Sequence, residues 1–185
     1  MYFIKFLKKI FYSGLTGAVF LTPLSFLQAH FGIIEFTHPS FLGLAAWVPG
    51  MFALIFVGMT LFFPLLEKTL TATFQFKKRN IFIEFLAILI AFTGPVFTQN
   101  YPNLLVLILG IYVLFRLGFF YAKWDWLFFL LGALIGPTVE IFLMNTDAYH
   151  FANTDFLGIP NWLPLLWGIV AMSGRRMADV IEKMV

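Results

Sequence analysis

Residues 126–143 read WLFFLLGALIGPTVEIFL, an apolar run whose one ionisable residue is Glu140. A helix crosses the hydrocarbon core of a bilayer with about 20 mostly apolar residues, so this stretch predicts a membrane span. Five further stretches share the pattern, and together they give about six expected spans: Ile10–Ala29, Phe41–Leu66, Asn80–Thr98, Asn103–Ala122, Trp126–Leu143 and Phe156–Gly174. In the last, Pro160 and Pro164 predict a broken or re-entrant outer end. Such backbone is tolerated at membrane depth where protein or water covers it. Composition agrees: 61% of the 185 residues are hydrophobic and 11% are charged, against roughly 25% charged in soluble domains. The expected fold is an all-α polytopic membrane bundle of three hairpins, a single integral membrane domain over residues 1–185 of a cell membrane.

The basic residues predict an orientation. Lys5, Lys8 and Lys9 precede the first span. Lys68, Lys77, Lys78 and Arg79 separate the second and third, Arg116 and Lys123 the fourth and fifth, and Arg175, Arg176 and Lys183 follow the sixth. With Arg116 snorkelling to its helix end, all 12 fall on one side, which the positive-inside rule makes cytoplasmic, with both termini. Trp124 and Trp126 then mark the cytoplasmic interface, and Trp47 and Trp162 the outer one. Lys5 to Leu27 resembles a signal peptide, but Leu27 is too large for the cleavage position that a small residue needs, so a retained span is expected. The net charge of +3 comes from these flanks and gives no reason to propose nucleic acid. With no cysteine in the chain, disulfides, thiolate catalysis and Cys-based metal sites are excluded.

Sliding the chain by 115 positions lays Leu15–Phe52 over Leu130–Trp167 without a gap. Phe41, Leu42, Gly43, Trp47 and Pro49 meet Phe156, Leu157, Gly158, Trp162 and Pro164, a shared F-L-G-x-x-x-W-x-P. Helices 1–2 and 5–6 are therefore expected to form a parallel internal repeat about an axis along the membrane normal, with repeat copies at about 15–52 and 130–167. Binding sites of repeat-built transporters sit at the interface between copies.

Polar groups gather beside the expected outer ends of the spans. An ionisable residue inside a span is costly and marks function by default, so Glu140 is the leading candidate, as a general acid or a polar anchor. The alternative is a carboxyl that only bonds a neighbouring helix. Tyr149 and His150 follow in the third outer loop and join Glu140 as candidate catalytic residues. Pro137, Asp147, Trp162 and Trp167 are candidate walls of an apolar pocket. Glu84 lies near Lys77, Lys78 and Arg79, and charge pairing with snorkelling accounts for it. His30, His38 and His150 have metal-binding chemistry without diagnostic spacing, so no metal is assigned. No phosphate loop, Ser-His-Asp set or H-E-x-x-H appears, and no cofactor is assigned.

Residues 136–167 read GPTVEIFLMNTDAYHFANTDFLGIPNWLPLLW. This stretch resembles the carotenoid-biosynthesis membrane hydratases of the bisanhydrobacterioruberin hydratase type. The family's intramembrane Glu falls on Glu140, its aromatic pair on Tyr149 and Phe151, and its G-[VI]-P-x-x-x-P-L-x-W on Gly158, Ile159, Pro160, Pro164, Leu165 and Trp167. The loop is shorter here, and the family's G-x-P-F-G segment is missing. The resemblance implies a polyene or isoprenoid substrate and acid-initiated addition of water.

Two classes of function remain open on these residues. One is a lipid- or isoprenoid-modifying enzyme with an outer apolar pocket around Glu140. The other is a non-catalytic membrane subunit or lipid-binding regulator that uses the same pocket without turnover; a small transporter ranks behind both. Expected partners are membrane lipids, a lipid or isoprenoid ligand, and a second copy or another membrane protein.

Overall fold

A computed structural model describes residues 2–69, 81–119 and 124–184. Lys77, Lys78, Arg79 and Lys123 of the charge pattern lie outside these residues. In chain order the elements are α1 (Tyr2–His30), β1 (Ile34–Phe36), α2 (Val48–Thr69), α3 (Ile81–Phe97), α4 (Pro102–Phe119), α5 (Asp125–Asn145), β2 (Tyr149–Phe151) and α6 (Leu163–Met184). The fold is a polytopic membrane helical bundle. Among the described residues four helices, α1, α2, α4 and α5, are long and apolar enough to cross a bilayer, and α3 is a shorter apolar helix. Helix α6 is continuous, but Arg175 and Arg176 end its apolar run in its second half.

Two helices start well inside their expected spans. Helix α2 starts at Val48 instead of Phe41, and α6 at Leu163 instead of Phe156. The F-L-G sequence is the cause, because it forms a tight turn at both places. Phe41 bridges Leu44 and Phe156 bridges Ile159. Leu42 and Gly43 have φ of 50° and 82°, and Leu157 and Gly158 have 56° and 76°. A left-handed leucine costs about 1–2 kcal/mol, so the turn is held by its surroundings and not by its own preference.

The likeness between the two hairpins extends beyond this turn. β1 and β2 lie at the same 115-residue offset, as do the carbonyls of Phe52 and Trp167, which a Cβ on Gly17 or Gly132 would strike. β1 and β2 pair antiparallel with Glu35 opposite His150, its own counterpart. Thr37 N–H donates to Ala148 O at 3.3 Å, and in return Ala152 N–H donates to Ile33 O at 3.1 Å. A strand paired antiparallel with its own equivalent, centred on equivalent residues, is a local twofold. Around it α1 packs on α2, α5 on α6, and α2 meets α6 at the centre. Helix α3 breaks the symmetry by lying against α6 and α1, and α4 packs against α6 and α3.

Charges that the sequence placed in flanking loops are instead locked inside the bundle, at the end opposite the ribbon. Arg116 on α4 does not snorkel: its guanidinium is 2.9 Å from Glu84 on α3, with both side chains buried. It also donates to Tyr112 Oη and Ser173 Oγ. Arg176 spans Glu84 and Asp125, each at 2.7 Å. Arg175 reaches Asp125 at 3.3 Å, and its guanidinium lies 4.2 Å from the Phe128 ring centre. Glu84, expected to snorkel beside Lys77, Lys78 and Arg79, is instead buried and paired with Arg116 and Arg176. Four helices are tied by this one network, and α6 can carry two arginines at that depth because buried ions are tolerated when paired and hydrogen-bonded.

Candidate functional site

Glu140 stands on α5 between two concavities. It is half-buried, and Trp167 Nε1–H of α6 donates to its Oε1 at 3.0 Å. The contact follows from Gly136, one turn earlier, where any Cβ would collide with the Trp167 side chain. Only glycine there lets the indole lie against α5 and reach the carboxyl.

One concavity is a small pocket of about 30 Å³ beneath the ribbon, room for a water-sized group. Its walls come from both hairpins in equivalent pairs: Ile34 with Tyr149, Trp47 with Trp162, and Phe52 with Trp167. Polarity breaks the symmetry, because Ser25 stands where the other copy has Glu140. Gln28 contributes too, its Nε2–H donating to the Phe92 carbonyl of α3 at 2.8 Å. Tyr149 lines the pocket, and its buried hydroxyl has no hydrogen-bond partner among the described residues. An unpaired buried hydroxyl costs roughly 1–3 kcal/mol, so the pocket favours an occupant that can bond it.

The other concavity is an apolar groove of about 310 Å³ between α2 and α5. Leu54, Met59 and Phe62 of α2 face Gly132, Ile135 and Val139 of α5, with Trp167 and Ala171 as the floor. Glu140 is its one ionisable lining group, and Glu140, Trp167 and Met51 belong to both concavities. An apolar wall with a few convergent polar groups is the usual form of a small-molecule site. This one is long, narrow and polar at one end.

Of the residues singled out from sequence, Glu140, Tyr149, Trp162 and Trp167 come together here. His150 and Asp147 do not. Side chains alternate along a strand, so Tyr149 and Phe151 point into the pocket while His150 faces away. Asp147 is exposed in a left-handed turn, 4.0 Å from His150 on the outside of the ribbon. Pro137 is buried in α5 without lining either concavity. The sequence reading missed Gln28, Met51 and Phe92 as lining residues. Gln28 carried a signal, being an amide inside an apolar span.

Fold and geometry together define a polytopic helical membrane protein with an apolar groove between two of its helices. Among solved structures the chain is similar to MvINS, a mycobacterial Insig homologue from Mycobacterium vanbaalenii, with a TM-score of 0.74, 13% identity and 92% of each chain covered. It is similar also to a cross-linked variant of MvINS crystallised as a trimer, with a TM-score of 0.75, 12% identity, and 94% of this chain and 93% of that one covered. At such identity the likeness is one of fold. No family model and no curated protein matches the sequence.

Proposed function

We propose that this protein binds a membrane lipid without converting it, the lipid's apolar body lying in the α2–α5 groove and its polar end meeting Glu140. The observation that carries this reading is the groove itself, apolar along its length and polar at one end. The Tyr149 hydroxyl and the Gln28 amide lie beyond Glu140 in the small pocket, where a hydroxyl or carbonyl of the lipid can bond them. The ligand class this fits is a neutral amphiphile, such as a hydroxylated lipid or isoprenoid. A second negative charge beside Glu140 would be repelled at low dielectric. The basic flanks support a membrane orientation with both termini cytoplasmic and the ribbon end outside. The MvINS trimer supports a search for a homo-oligomer.

A photoactivatable lipid alcohol should cross-link to Leu54 or Ile135 on the groove walls. Glu140→Leu should reduce that labelling about fivefold, the worth of one hydrogen bond near 1 kcal/mol, whereas Glu140→Gln should keep most of it. Labelling indifferent to both substitutions would remove Glu140 from the site.

Acid-initiated hydration is the second reading, favoured by Glu140 and Tyr149 lining one pocket. In it Glu140 protonates an alkene carbon, water adds to the resulting cation, and the proton lost from that water returns to the carboxylate. It requires a bound polyene to gain the mass of one water, and Glu140→Gln to abolish that gain.

A further inference from the structure

We infer that the end of α1 opposite the ribbon binds an anionic phospholipid, its phosphate on Lys5 and Lys8 and an acyl chain along Leu7, Phe11 and Leu15. This surface is separate from the α2–α5 groove and its ligand is charged, so the inference goes beyond the neutral lipid proposed there. It starts where the likeness of the two hairpins ends. Helix α5 begins at Asp125, the equivalent of Ile10, whereas α1 begins at Tyr2. Residues 2–9 therefore carry α1 about 12 Å further, at 1.5 Å per residue. This overhang holds every charged residue of α1, three lysines and no acid. Residues 10–67 and 124–174 contain no lysine and no arginine, so the ribbon end has nothing comparable. Arg116, Arg175 and Arg176 are turned inward onto Glu84 and Asp125, whereas Lys5 and Lys8 are exposed and Lys9 is half-buried beside them.

Helical spacing sorts the overhang into two adjacent stripes. Lys5, Lys8 and Tyr12 follow at i, i+3 and i+7, so they share one face, and all three are exposed. That face lies about half a turn round the helix from Gly14 and Gly17, which pack on α2. Ile4, Leu7, Phe11 and Leu15 form the neighbouring stripe and are 59%, 48%, 64% and 47% exposed. It runs from the lysines down into the apolar span. Side chains lean toward the start of their helix, and long lysines extend further to keep their charge in water. The cations thus stand at headgroup level above an apolar track. A phospholipid matches both stripes at once, while an acidic protein segment would leave the apolar stripe uncovered. In the orientation proposed above, this end meets the cytoplasmic leaflet, where anionic lipids give a negative surface potential.

The test is native mass spectrometry of the full-length protein titrated in detergent with phosphatidylglycerol or phosphatidylcholine of identical acyl chains. The parent should prefer phosphatidylglycerol by about 25-fold, or about fivefold for each exposed lysine. Lys5→Gln with Lys8→Gln should erase that preference, and Lys5→Arg with Lys8→Arg should keep it. Gly58→Phe, which fills the α2–α5 groove, should leave it unchanged. Equal binding of the two lipids by the parent, or a preference that survives Lys5→Gln with Lys8→Gln, would overturn the inference. A preference lost in Gly58→Phe would place the anionic lipid in the groove and overturn it as well. So would an equal loss on Lys183→Gln, because the charge of that whole end, and not the α1 stripe, would then be responsible. The neutral lipid is tested separately, since its retention should fall with Gly58→Phe and not with the lysine substitutions.

Discussion

Glu84→Ala should destabilise the protein by about 3–5 kcal/mol, the cost of removing one partner from a buried ion pair. Glu84 accepts from Arg176 and forms an ion pair with Arg116, whose side chains are 13% and 4% exposed respectively. Arg176 would retain Asp125. Arg116 would keep only the neutral oxygens of Tyr112 and Ser173, so its charge would be left buried and uncompensated. Unfolding in detergent micelles, followed by the loss of helical signal, measures the effect. The double substitution Glu84→Leu with Arg116→Leu should recover much of the loss, because apolar replacements of buried pairs are often nearly neutral. A double variant as unstable as the single one would show that the shape of these side chains matters and their charge does not. An unchanged midpoint for Glu84→Ala would contradict the network as described.

The second large effect is expected at the helix crossings of the two hairpins. A Cβ on Gly132 would overlap the Trp167 carbonyl and the Ala171 side chain, and one on Gly17 would overlap the Phe52 carbonyl and Phe56. Backbone cannot swing aside as a side-chain tip can, so Gly132→Val and Gly17→Val must push whole helices apart. Overpacking costs roughly 1–3 kcal/mol, occasionally more, and at Gly132 the shift would also pull Trp167 from Glu140. Both variants should therefore melt early, and Gly132→Val should lose lipid labelling even where it folds. Gly110→Ala is the control: nothing lies within 4 Å of its added Cβ, and alanine favours helix over glycine by roughly 0.5–1 kcal/mol. It should melt no earlier than the parent. Equal destabilisation at all three positions would mean that any side chain added to these helices is harmful, and that the crossings do not set the result.

Much of the architecture was legible because lipid imposes simple rules. Long apolar runs marked the helices, and the shared F-L-G-x-x-x-W-x-P located two turns that the structure builds alike, although the sequence reading mistook their first residues for span. Glu140 and Trp167 could be singled out because a carboxyl and an indole inside apolar runs need hydrogen-bond partners. Their mutual bond could not be foreseen, since it depends on Gly136 letting two particular helix faces meet. His150 faces away because its loop forms a strand, whose alternation sends neighbours to opposite faces, and Asp147 lies in the left-handed turn before that strand. The charged network was hidden for a different reason. Arg116, Arg175 and Arg176 lie near apolar boundaries, where snorkelling and burial leave the same trace in sequence. Only Glu84 and Asp125 converging from other helices decides for burial.

The most direct test of the account is native mass spectrometry of the purified protein released gently from detergent, alongside Gly58→Phe. The account predicts one neutral lipid retained per parent chain, recovered chemically unchanged, and lost when phenylalanine fills the α2–α5 groove. Equal retention by the parent and a folded Gly58→Phe variant would place the lipid elsewhere on the protein and contradict the groove as its site.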